Sequence, residues 1–128
     1  MEGESEMAKK DPQNTVRVSN KTRGTVLAQK AKIANTPLLR LRGLLGRSFL
    51  DQGEGLIIEP CSSIHTCFMR FPIDVLFLDN NNKIVLLANN LPPWRLFGTL
   101  FKGKIALELP TGTVIKTETK VGDFIEIN

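Results

Sequence analysis

The chain has 128 residues, 41% of them hydrophobic and 23% charged, which is the balance of an ordinary globular domain. Collagen-like, disulfide-scaffold and wholly disordered chains are excluded, and a chain this long can build a core without metal or disulfide support. The formal net charge is +4, but residues 1–14 hold four acids and two bases, so the remainder, with 15 bases against 9 acids, stands at +6.

Residues 1–13 are rich in Glu, Lys and Ser and end in Asp11-Pro12, so they read as a disordered tail, and a single domain is expected over 14–128. Thr15 to Val18 alternates like a strand, Asn20 to Gly24 supplies turn residues, and Thr25 to Ile33 returns, which predicts a first hairpin. The main helix is expected near residues 36–45: Asn35 caps, Pro37 stands early, Leu38, Leu41, Leu44 and Leu45 recur at helical spacing, and Gly46 stops it. After the Gly53-Glu54-Gly55 turn comes a short strand, Leu56 to Glu59, closed by Pro60. One long strand is expected from Cys61 to Phe71, a bend at Pro72, and a strand from Ile73 to Asp79. Asn80 to Asn82 turns the chain into Lys83 to Ala88, a second hairpin. The stiff Leu91-Pro92-Pro93-Trp94 loop leads into 95–101, to which no element is assigned. The remainder reads as a strand at Lys104 to Leu109, a turn at Pro110 to Gly112, a short helical segment within 113–119, and a closing strand at Asp123 to Ile127. The fold class is therefore mostly β (α+β): a compact antiparallel β barrel or sandwich with one main helix.

Cys61 and Cys67 lie about 20 Å apart if the chain between them is extended, so they are expected as free thiols, as in a reducing compartment. The opening MEGESEMAKK holds no apolar run, and no stretch approaches the length of a membrane span. The expectation is a cytoplasmic chain with no membrane partner, and a monomer.

If Cys61 to Phe71 is one strand, His65, Cys67 and Met69 share a face. Imidazole, thiol and thioether together suit a soft metal such as Cu(I), against the simpler reading that Cys67 and Met69 are core residues. No cofactor is required by the sequence. Asp74 and Glu108 stand in apolar runs and must be hydrogen-bonded, paired or exposed; alternation puts Asp74 with Leu76 and Leu78, away from Val75 and Phe77. Either carboxyl could act as a general base. Between Pro12 and Leu50 there are eight bases from Arg17 to Arg47 and no acid. A solvated face explains them more simply than a nucleic-acid site, because no aromatic residue is interleaved before Phe49. Gly-x-Ser-x-Gly, P-loop, dinucleotide and paired CxxC motifs are all absent.

Five ordered segments resemble the DUF192 family, also called UPF0127: Arg40-Leu-Arg-Gly-Leu-Leu-Gly-Arg47, Gly53-Glu-Gly-Leu56, Ile64 to Asp79, Leu107-Glu-Leu-Pro-Thr-Gly112 and Val121-Gly-Asp123. The resemblance covers residues 20–127 and implies a compact, mostly β domain with a helix; it implies no activity. Met69, Pro72, Asp74, Glu108, Pro110 and Gly112 match the family pattern. Where this chain has His-Thr-Cys-Phe-Met-Arg, many relatives carry an aromatic at the position of His65, so a family-wide role for His65 or Cys67 is not implied.

The leading functional expectation is non-enzymatic binding of a small ligand in a pocket built from Arg40, Glu54, Met69, Asp74 and Glu108, polar groups converging on an apolar concavity. The alternatives are a hydrolase using Asp74 or Glu108 as general base, a soft-metal binder through His65, Cys67 and Met69, and a weak RNA or polyanion binder through residues 17–47.

Overall fold

A computed structural model of the chain describes residues 15–99 and 103–128; the tail expected at 1–13 lies outside them. The elements in chain order are β1 (Val16–Asn20), β2 (Thr25–Ala34), α1 (Pro37–Arg42), β3 (Glu54–Ile58), β4 (Ser63–His65), β5 (Ile73–Leu78), β6 (Ile84–Leu91), β7 (Leu96–Gly98), β8 (Ile105–Pro110), α2 (Thr113–Lys116) and β9 (Ile125–Ile127). Seven strands form one sheet in the order β6-β5-β8-β3-β2-β1-β9, and β4 pairs β7 apart from it. Every pairing is antiparallel except β2 with β3. The sheet curls until its two ends meet: Lys83 bridges Phe124, and the Ile84 N–H donates to the Asp123 carbonyl at 2.9 Å. The result is a half-barrel.

Alternation along the central strands feeds two cores. One face packs Val18, Leu27, Ile57, Leu76, Leu107 and Leu109 inside the curl, with Val114 of α2 as its lid. The opposite face carries Leu56, Ile58, Val75, Phe77 and Ala106 and is covered by Leu44 and Leu50 from the segment after α1 and by Ile64 and Met69. Because β5 has packed layers on both sides, all six of its residues are buried, and it reads in sequence as an unbroken apolar run except for Asp74. Gly55 is needed where β3 passes close to its neighbours: a Cβ there would stand 3.2 Å from both Ala28 and Leu109.

Two sequence expectations are corrected. α1 spans only Pro37–Arg42, is capped by Thr36 rather than Asn35, and buries none of its residues, leaving Leu38 and Leu41 exposed. Gly43, not Gly46, ends it, at φ 50° with its N–H on the Leu39 carbonyl; the leucines that reach the core come after the helix, on a chain no longer bound to helical spacing. The strand expected from Cys61 to Phe71 is three residues long. It stops at His65 because the chain turns over Thr66–Met69, with Phe68 at φ 67° and the Met69 N–H on the Thr66 carbonyl at 3.2 Å.

Candidate functional site

A cleft of about 560 Å³ opens on the outer face of the sheet, between the Pro37–Leu45 segment on one side and Pro60–His65 with Met69 on the other. Its apolar walls include Leu41, Leu44, Leu45, Ile58, Ile64 and Met69, and its polar groups are Arg40, Arg42, Cys61, Ser62, Ser63, His65 and Glu108. β8 places Glu108 on this face by register, since it stands opposite Leu56 of β3 and Val75 of β5, both members of the outer core.

Glu108 is buried, and among the described residues no donor reaches its carboxyl within hydrogen-bond or ion-pair distance. Flanked by apolar strands, the charged form is poorly solvated, and burial pushes its pKa up to about 7. Cys61 lies close to it. Burial raises the Cys61 thiol as well, with the Glu108 charge adding to that effect and Arg40 opposing it, while the thiol donates to the Ser63 carbonyl at 3.1 Å. A thiol held protonated is not an activated nucleophile. Arg40 is half-buried at the end of α1 and forms no ion pair among the described residues, so its guanidinium supplies a cation to the cleft wall.

Of the five residues expected to form the pocket, the structure gathers Arg40, Met69 and Glu108 and separates the other two. Asp74 lies on the inner face with Leu76 and Leu78, as alternation predicts, and both its oxygens are occupied: Oδ1 accepts the Asn90 N–H and Oδ2 the Val114 N–H, each at 2.8 Å. The Gly112 cap of α2 has no side chain to offer, so Asp74 supplies that helix's anion from a distant strand. Glu54 is tied to the 51–54 turn, where Oε1 accepts from Arg47 Nη2 at 2.8 Å and from the Asp51 N–H at 3.0 Å.

The shared face of His65, Cys67 and Met69 is overturned by the turn at Phe68. His65 is exposed at the cleft rim, where its Nδ1 accepts the Cys67 N–H at 3.3 Å; Met69 is buried in the wall, and Cys67 does not line the cleft. Among the described residues no cluster of three or more His, Cys, Asp or Glu has the arrangement of a metal site. Both cysteines are free. The basic residues of 17–47 are dispersed over β1, β2, α1 and their connections, with Arg23 committed to Asp123 and Arg47 to Glu54. Sequence reasoning missed Cys61, Ser62 and Ser63 as cleft residues, since they became neighbours of Glu108 only when Pro60–His65 crossed the sheet. Among the described residues no helix is long and apolar enough to cross a membrane.

Residues 18–127 match the DUF192 family, described as an uncharacterized ACR. The chain is 33% identical over 111 residues to a UPF0127 protein of Thermococcus sibiricus, covering 84% of this chain and 71% of that one. It is 31% identical over 114 residues to a UPF0127 protein of Pyrococcus furiosus, covering 85% and 96%. A protein of unknown function from Novosphingobium aromaticivorans shares the fold, with a TM-score of 0.75 at 21% identity over 88% of this chain and 83% of that one. So does a putative transcription regulator from Sinorhizobium meliloti, with a TM-score of 0.76 at 22% identity over 88% and 91%.

Proposed function

The chain belongs to the DUF192 family, and from that premise we propose that it binds a small organic ligand in the cleft over β3 and β8. The observation that carries this reading is Glu108. A carboxyl only 4% exposed, with no donor to it among the described residues, is costly in its charged form, and one lining a cleft of about 560 Å³ is the polar anchor such a site uses. The ligand it suits has an apolar body, to lie against Leu44, Ile58, Ile64 and Met69, and an amine or hydroxyl that donates to Glu108. Arg40 and His65 at the edge then meet an acidic or carbonyl substituent.

A fragment screen read by amide NMR shifts tests this. Bound fragments are expected to shift Ile58, Ser63, Met69 and Glu108 together, and Glu108→Gln is expected to weaken amine-bearing fragments about tenfold, the size of one charge-assisted hydrogen bond. Shifts scattered over the surface, or affinity indifferent to both Glu108→Gln and Arg40→Ala, would overturn it.

One observation favours a second reading. A carboxyl that titrates near 7 is matched to general acid–base work at neutral pH, and burial puts Glu108 in that condition. Hydrolysis of an ester or amide probe that follows a pKa close to 7 and disappears in Glu108→Gln would establish catalysis in place of binding alone.

A further inference from the structure

Two loops away from the cleft floor converge on a tip whose construction the cleft does not explain. Phe68, Trp94 and Leu96 project there with exposures of 72%, 59% and 81%, the last being the highest among the described large apolar residues. Phe68 and Trp94 come from different loops, yet their rings meet edge to face with centroids 4.7 Å apart. Each is at positive φ, 67° and 66°, a region that bulky side chains rarely enter.

Thr66, fully buried, braces both loops. Its hydroxyl donates to the Pro92 carbonyl at 2.8 Å and accepts the Arg95 N–H at 2.9 Å, while its carbonyl accepts the N–H groups of Met69 and Trp94 at 3.2 and 3.1 Å. The fold thus fixes two strained aromatic residues largely in solvent, their rings packed edge to face. The two segments that carry them bear charge of one sign: no acid occurs from Pro60 to Ile73 or from Asn80 to Leu107, and Arg70 and Arg95, two and one positions along the chain from Phe68 and Trp94, are exposed.

The geometry points to peripheral docking of this tip on a membrane surface that carries anionic headgroups. Trp94, Phe68 and Leu96 enter the interfacial layer, where an aromatic ring with a polar edge and an aliphatic side chain are both at home, and Arg70 and Arg95 meet the lipid phosphates. None of the three cavities described for the molecule is lined by these apolar residues, so they form a protruding wedge rather than a groove for a peptide. The edge-packed rings leave no slot between them for a nucleic-acid base. The sequence-based expectation of no membrane partner considered only spanning segments, and a docking tip needs none. The inference stands on Thr66, the two loops and their charge, and does not depend on what the cleft binds.

Trp94 is the sole tryptophan of the chain, so its emission reports the tip directly. The full chain is mixed at low salt with vesicles of phosphatidylcholine containing about a third phosphatidylglycerol, and with pure phosphatidylcholine vesicles. The expected result is a blue shift and co-sedimentation with the anionic vesicles, declining as salt is added. Leu96→Ser is expected to weaken partitioning about tenfold and Arg95→Ser about fivefold, both with an unchanged melting temperature because both side chains are exposed. Emission that ignores anionic vesicles overturns the inference, as does binding that Leu96→Ser leaves intact. A blue shift that tracks only protein concentration, with dimers in sedimentation, or only added oligonucleotide, assigns the tip to another partner and overturns it equally.

Discussion

Two carboxylates in near-identical apolar sequence surroundings, Asp74 and Glu108, end in opposite conditions. Asp74 receives two backbone N–H groups and ties β5 to α2 and to the end of β6. Glu108, one residue from the inner core on β8, faces the cleft with no donor among the described residues and titrates near 7. Between its ordinary value of 4.5 and about 7, the folded chain keeps a proton that the unfolded chain has released. Stability therefore falls as pH rises through that window and is flat above it. Glu108→Gln is expected to remove this slope and to raise stability at pH 8 by as much as about 3 kcal/mol, measured by urea unfolding at pH 5 and pH 8. A ligand that donates to the carboxylate would offset the same penalty.

At the scale of elements, the wall formed by β4 and β7 decides the shape of the cleft. It is held to the main sheet by Ile64 in the outer core and by Phe97, whose ring packs at 5.7 Å from that of Phe77. The pairing tolerates no side chain at Gly98, where a Cβ would stand 2.5 Å from the Ser62 carbonyl oxygen and from Ser63. Gly98→Ala is expected to part β4 from β7 and to cost about 3 kcal/mol, seen as lost amide-exchange protection at 64 and 97 while β5 and β8 stay protected. The same wall shows why Cys61–Phe71 reads as one strand in sequence and is three residues long in the structure. Its residues are β-rich, and nothing local marks Thr66–Met69 as a turn, because the bonds that stabilise it come from Pro92, Trp94 and Arg95 across the tip.

At the scale of the whole molecule, Asp123 stands where the half-barrel's ends meet, its carbonyl accepting the Ile84 N–H of β6 while its side chain ties the segment before β9 to β1 and the β1–β2 turn. Asp123 accepts from Arg23 Nε at 2.8 Å, from Asn20 Nδ2 at 2.9 Å and from the Lys120 N–H at 3.0 Å. Desolvation alone would raise this carboxyl, but those hydrogen bonds and the Arg23 charge outweigh it and hold it below the usual 3.8. Its stabilisation is complete above that value and is lost as pH falls through the lower folded one. The two carboxyls thus act on stability from opposite sides, Asp123 toward acid pH and Glu108 toward neutral pH. Asp123→Asn is expected to flatten the acid limb and Glu108→Gln the neutral limb, by calorimetric scans from pH 2.5 to 8. Asn20→Ala, which strips the buried donor from Asp123 and Thr119, is expected to cost about 2 kcal/mol.

What the residues themselves determined is the class of fold and most of its parts. Period-two patterning, Gly, Pro and Asn punctuation and the apolar run at 73–78 encode strands and hairpins locally, and the family segments are legible without any coordinates. Arg40, Met69 and Glu108 stood out as polar or soft residues in apolar company, and the cleft does contain them. Only the tertiary structure could decide between Asp74 and Glu108, since alternation within one strand says nothing of how β5 and β8 register, which face has a helix to cap and which has a cleft to fill. It likewise decided that the leucines of α1 stay in solvent, and that Phe68 and Trp94, 26 positions apart, share one braced tip. Contacts between distant segments are set by how the sheet curls and what covers it, and that information is carried by the packing of the whole chain rather than by any window of it.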